Sequence, residues 1–81
     1  MRRVSGENDP DGVLKLLGGA IRRARSECQM SQEALADLAE IDRSHMGRIE
    51  RGERNVTILN LRKIAKSFDK TMAQLLEDAQ I

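Results

Sequence analysis

The chain is poor in the residues that build sheets, disulfides and metal clusters: one aromatic (Phe68), one cysteine (Cys28), one histidine (His45) and one proline (Pro10) among 81 residues. So few aromatic and β-branched residues leave little material for a sheet, whereas the abundant Ala, Leu, Arg, Glu and Met favour helix. A lone cysteine excludes an internal disulfide and any cysteine-based zinc cluster. Cys28 continues the apolar face of its helix pattern and is expected to be a plain buried thiol. A histidine metal site or a Ser-His-Asp triad would have to form around His45 alone. No glycine-rich phosphate loop is present, because Gly18-Gly19 lacks the flanking strand and the lysine that such a loop needs. The carboxylates are scattered near Arg and Lys, the pattern of solvated, salt-bridged faces. Neither catalysis nor a metal or other cofactor is expected. Long apolar runs and a charged-then-apolar leader are also missing, so the expectation is a cytoplasmic protein with no membrane partner.

Excess charge of one sign is lacking too. Fourteen cations against 13 anions give a net charge of +1, far from the pI above about 9 of a strongly basic nucleic-acid binder. Type and placement say more than the sum. Ten of the cations are arginines, and four of these stand at positions 43, 48, 51 and 54. Any anion-binding surface is therefore a local face on a nearly neutral body, with weak non-specific affinity.

What is present is helical punctuation. Residues 1–8 carry no periodicity and read as a flexible tail, leaving 9–81 as a single domain with one core. Asp9-Pro10 fits an N-cap followed by proline at the first helical position. A helix then runs to about Cys28, with Leu14, Leu17, Ile21, Ala24 and Cys28 on one face. Gly18-Gly19 either permits a close helix–helix approach or marks where the ordered helix begins. Thr57 caps a helix through Phe68 that buries Ile58, Leu61, Ile64, Ala65 and Phe68; Thr71 caps a last one with Met72, Leu75, Leu76 and Ala79 on its apolar side.

The stretch SQEALADLAEIDRSHMGRIERG, residues 31–52, is the most informative. Ser31 caps a helix over Gln32 to Ala39 that buries Leu35, Ala36 and Ala39. The chain breaks near Glu40-Ile41, and Asp42 caps a second short helix, Arg43 to Arg51, with Met46 and Ile49 inward. Gly52 is the expected left-handed stop. Out-of-phase apolar periods force the two helices to cross steeply. This is a helix-turn-helix at about 32–51, whose second helix is free to enter a DNA major groove. Five helices with short connections make the fold class all-α.

Three blocks in this order and spacing resemble the XRE family, the lambda-repressor and Cro type of helix-turn-helix protein: Ile21-Arg22 with Arg25, Ser31-Gln32-Glu33-x-Leu35-Ala36, and Ile49-Glu50-Arg51-Gly52. The likeness covers about residues 13–78 and implies a compact, lambda-repressor-like bundle of five helices. Short members without an effector domain resemble phage-type repressors, antitoxins or the controllers of restriction–modification systems. The stretch ERGERNVTILNLRKI, residues 50–64, leans towards the controllers. The resemblance implies that Gln32 holds a phosphate at the start of the first motif helix. It further implies that Arg43, Ser44 and His45 open the recognition helix with Arg48 one turn on, an arginine there reading guanine and Ser44 donating to a base or a phosphate. Arg51, Arg54 and Asn55 would clamp phosphates without reading sequence. Gly47 would leave room for close approach to the groove. Arg25 and Glu50 would form a partly buried ion pair bracing the first helix against the recognition helix. Gln29 stands where many relatives have glycine, which asks it for a left-handed backbone.

One recognition helix touches too few base pairs to single out a genomic site. A two-fold dimer on a pseudo-palindrome with half-sites about 34 Å apart would suffice. Met72, Leu75, Leu76 and Ala79 exceed what one narrow seam needs and are the candidate interface, with completion of the monomer core as the other reading. The leading function is sequence-specific transcriptional regulation on double-stranded DNA. The alternative left open is a protein-interaction module, such as an antitoxin that neutralises a protein partner.

Overall fold

Side chains begin the helices and left-handed residues end them. In a computed structural model, which describes residues 9–81, α1 spans Val13–Glu27, α2 Gln32–Ala39, α3 Arg43–Glu50, α4 Ile58–Ser67 and α5 Met72–Ala79. The tail expected over residues 1–8 lies outside the described residues. The Ser31, Asp42, Thr57 and Thr71 side chains each accept from the backbone amide three residues on, and Thr71 with Gln74 completes a reciprocal capping box. Each helix closes on a residue with positive φ: Gln29, Glu40, Gly52, Asp69 and Gln80. The amide after it donates back into the same helix, as from Met30 to Arg25, Ile41 to Ala36 and Glu53 to Arg48. Four of these five left-handed positions are not glycine.

The all-α, five-helix class expected from the sequence is the one observed. Ile21, Leu35, Met46, Ile49, Ile64 and Leu75 are its fully buried large side chains, one or more from every helix. α1 packs against α3 and α5, α2 against α3 and α4, and α4 against α5, which closes the five helices into a ring of contacts. Two glycines let α1 and α3 meet. A Cβ at Gly18 would lie 2.7 Å from the Ile49 carbonyl oxygen and nearer still to that of Glu50. Past the end of α3, a Cβ at Gly52 would lie 2.8 Å from the Lys15 Cα. Gly18 therefore serves a close approach within a continuous helix, and Gly52 is demanded by both its φ of 75° and its neighbour. At the far end, Arg23 donates to the Asp78 carbonyl and Lys70 pairs with the Asp78 carboxylate. That carboxylate holds the Lys70 ammonium above the usual lysine range by hydrogen bonding.

Several expectations are corrected. Asp9 does not cap a helix that starts at Pro10. Residues 9–12 form a turn ending on left-handed Gly12, and the Asp9 carboxylate accepts from the Val13 and Leu14 amides at 3.0 and 2.7 Å. Cys28 is exposed, because α1 ends at Glu27 and the apolar register does not continue through its cap. Ile58 is also exposed, at 65% of its surface. It opens α4 immediately after its cap, and the core contacts of that helix begin only at Leu61. Leu75 and Ala79 are 0% and 2% exposed, so they complete the protomer core and have no surface to offer a second subunit. Met72 and Leu76 remain half-buried at its edge.

Candidate nucleic-acid interface

The orientation of α3 follows from its sequence. Met46, Gly47, Ile49 and Glu50 are buried, which turns Arg43, Ser44 and Arg48 out to solvent and leaves His45 half-buried. The Asp42 carboxylate accepts from the His45 amide and fixes where the helix starts. α3 is held from behind by a buried carboxylate. The Glu50 side chain is fully buried, and Arg25 grips it with two hydrogen bonds of 3.0 Å, Nε to Oε2 and Nη2 to Oε1. Arg25 also donates from Nη1 to the Met30 carbonyl at 3.1 Å, which ties the α1–α2 connection to the same group. The more exposed Arg22 lies 3.8 Å from Glu50 Oε1. One carboxylate thus joins the end of α3 to α1.

Gln32 belongs to that cluster. Its amide nitrogen is 3.3 Å from Glu50 Oε1, so the first residue of α2 is steered from within the fold. Gly47 does not face outward as expected. It is buried, and a Cβ there would lie 3.2 Å from both Gln32 Oε1 and Arg51 Nη1. Its lack of a side chain lets the start of α2 and the end of α3 share one surface.

The cations of this surface are held to different degrees. Arg43 Nη1 is 3.7 Å from the Glu33 carboxylate, with both side chains about two-thirds exposed (68% and 65%). Such exposed pairs contribute about 0.2–1 kcal/mol, so Arg43 can leave Glu33 readily. Arg48 makes no ion pair among the described residues and shares an open cleft of about 350 Å³ with His45, Arg54 and Asn55. Arg54 donates to the Glu53 carbonyl at 3.1 Å. Arg51 caps the end of α3 and grips Glu53, Nε to Oε2 at 2.9 Å and Nη2 to Oε1 at 3.4 Å. This partner lies outside the helix, in the loop that follows it. Its signal was an acid two residues on, across a glycine turn. The guanidinium hydrogen bond keeps the Glu53 carboxyl below the usual carboxylate range, with further help from Arg51, Arg54 and Arg48, and the same bond raises Arg51.

Gln32, Arg43, Ser44, His45, Arg48, Arg51, Arg54 and Asn55 therefore lie on α3, at the start of α2 and in the loop after α3. Chemically, this surface offers guanidinium forks, an amide and a hydroxyl to an extended anion. No described helix is long and apolar enough to cross a membrane.

A helix-turn-helix family model matches residues 21–75. The control protein C.MunI of Mycoplasma sp is 34% identical over 64 residues, covering 78% of this chain and 86% of that protein. The control protein C.BamHI of Bacillus amyloliquefaciens is 40% identical over 68 residues, 83% of this chain and 84% of its own. Among solved structures, the restriction–modification controller protein C.AhdI from Aeromonas hydrophila superposes with a TM-score of 0.75 at 40% identity, covering 76% of this chain and 94% of that one.

Proposed function

Because the chain belongs to the helix-turn-helix family, in the group of the restriction–modification control proteins, we propose that it regulates transcription by binding a pseudo-palindromic operator as a dimer. One observation carries this reading. The buried face of α3 is locked by Met46, Ile49 and the Arg25–Glu50 pair, so its outward face of Arg43, Ser44 and Arg48 is presented rigidly and unobstructed. Such a helix fits the major groove, where an arginine fork can take guanine O6 and N7 together. Gln32 and the α2 N-terminus meet a phosphate beside Arg51, and Arg54 and Asn55 meet phosphates along the loop after α3. An inverted repeat upstream of the chain's own gene is the natural operator for such a device. The kinship with control proteins supports this role over that of an antitoxin.

Arg43→Ala tests the base-reading role. Loss of one bidentate contact is expected to weaken operator binding by about 5- to 150-fold, equivalent to roughly 1–3 kcal/mol. Random-sequence affinity should fall much less. A gel-shift series on both duplexes decides, and equal losses on the two would reduce Arg43 to a phosphate contact.

The dimer contact moves from the buried face of α5 to the apolar strip beside it. Ile58 and Leu59 are 65% and 70% exposed, the highest values among the large apolar residues described. Arg62, one turn after Ile58, opens a cleft towards Met72 of α5 that is rimmed by Lys66, Lys70 and Thr71. An Ile58→Ser, Leu59→Ser double variant is expected to sediment as a monomer at concentrations where the parent is dimeric, and to lose affinity for a full operator. Unchanged sedimentation would move the interface elsewhere.

A further inference from the structure

The loop after α3 sets an acid where a duplex phosphate would sit. We propose that Glu53 is a built-in competitor for the Arg51 guanidinium, which a DNA phosphate must displace. The inference rests on the DNA-binding reading above. Its geometry is that of a phosphate contact: a fork-to-fork pair in which two guanidinium nitrogens meet two carboxylate oxygens at 2.9 and 3.4 Å. The backbone enforces it. Gly52, at φ 75° and pressed against Lys15, reverses the chain, and the Glu53 amide donates to the Arg48 carbonyl at 2.9 Å. Glu53 therefore returns to the end of α3 whatever its side chain does.

Its surroundings are cationic. Arg48, Arg51 and Arg54 all lower the affinity of the Glu53 carboxyl for a proton, so it stays ionised across the neutral range. Arg51 is about half exposed, open to solvent on the side away from the core. Arg43 meets only a loose acid at 3.7 Å, and Arg48 meets none among the described residues. Arg51 alone on this surface is held by a two-point grip. One of its cations is thus neutralised until a phosphate replaces the carboxylate, which lowers attraction to every sequence. The near-zero net charge of the chain acts in the same sense.

The test is a set of salt titrations on a random-sequence duplex, read by fluorescence anisotropy, with the full chain and its Glu53→Gln and Glu53→Ala variants. Both variants are expected to bind about 3- to 10-fold more tightly at 0.1 M salt, with the slope of log affinity against log salt little changed, because the same phosphate is contacted once the carboxylate has left. In an Arg51→Gln background the same Glu53 substitutions should change little. Variants that bind like the parent, or more weakly, overturn the proposal. So does a gain that persists undiminished without Arg51, because it would mark Glu53 as a diffuse field. Failure of parent and variants alike to bind any duplex would instead sink the DNA-binding reading itself.

Discussion

Arg25→Ala is expected to destabilise the protein by about 3–5 kcal/mol, because it strands a carboxylate that has no route to water. The Glu50 side chain is fully buried and its two oxygens are matched one to one with Nε and Nη2 of Arg25. Removing the guanidinium leaves Gln32 at 3.3 Å and Arg22 at 3.8 Å as substitutes. Arg22 can approach, since it is 60% exposed and free to move, so the lower end of the range is favoured. The Met30 carbonyl also loses its donor. Against the roughly 4–10 kcal/mol of stability typical for a domain of this length, the change is a large fraction of the whole. Urea denaturation followed by circular dichroism measures it, and a loss below about 1 kcal/mol would show that the pair is not needed. Replacing both partners with apolar residues should recover much of the loss, because a buried pair is costly to break rather than strongly stabilising in itself. Its value lies in position, since the same carboxylate steers Gln32.

Gly18→Ala is the second large effect, and it acts through backbone rather than charge. The added methyl would meet two main-chain carbonyl oxygens, those of Ile49 and Glu50, and no side chain stands between that could swing aside. Overpacking of this sort costs about 1–3 kcal/mol, occasionally more. It wins against the roughly 1 kcal/mol that alanine gains over glycine inside a helix. Gly19 makes the comparison. Its Cβ would meet only the end of the Arg23 side chain at 3.4 Å, so Gly19→Ala should be neutral or stabilising. Thermal melts of the two neighbours should therefore move in opposite directions. If both rise, α1 and α3 do not approach as closely as described. Since the displaced carbonyls belong to the end of α3, Gly18→Ala is also expected to weaken DNA binding from the face opposite the contact.

Much of this fold was legible in the sequence because its information is local. Ser31, Asp42, Thr57 and Thr71 announce helix starts by chemistry that needs no tertiary contact. Gly52 marks an end in the same way, whereas the left-handed Gln29 was expected only from the family resemblance. The errors fall where periodicity runs past the end of a helix. Cys28 and Ile58 sit on the right phase, but one lies beyond the last turn and the other precedes the first turn that touches the core. Leu75 and Ala79 illustrate another limit. An apolar stripe says that a face is covered, not whether by the same chain or by a second copy, and here α1 and α4 cover it. At the candidate interface, which α3 residues point outward could be read from the buried phase of Met46 and Ile49. Three relations could not: the steering of Gln32 by Glu50, the inward Gly47 and the capture of Arg51 by Glu53. The first two depend on how one helix end abuts another, and the third on a turn beyond the end of α3, which no single-helix pattern contains.

The five helix ends that fold back on their own last turns have a kinetic corollary. Every helix can stop at its proper residue before it meets a neighbour, and no connection is longer than that from Arg51 to Thr57. The docking of α1 on α5 is the longest-range step, and small helical domains reach the native state in microseconds to milliseconds. Folding of the protomer would then add no delay after translation, and pairing of two protomers would be the step that sets when the regulator becomes competent.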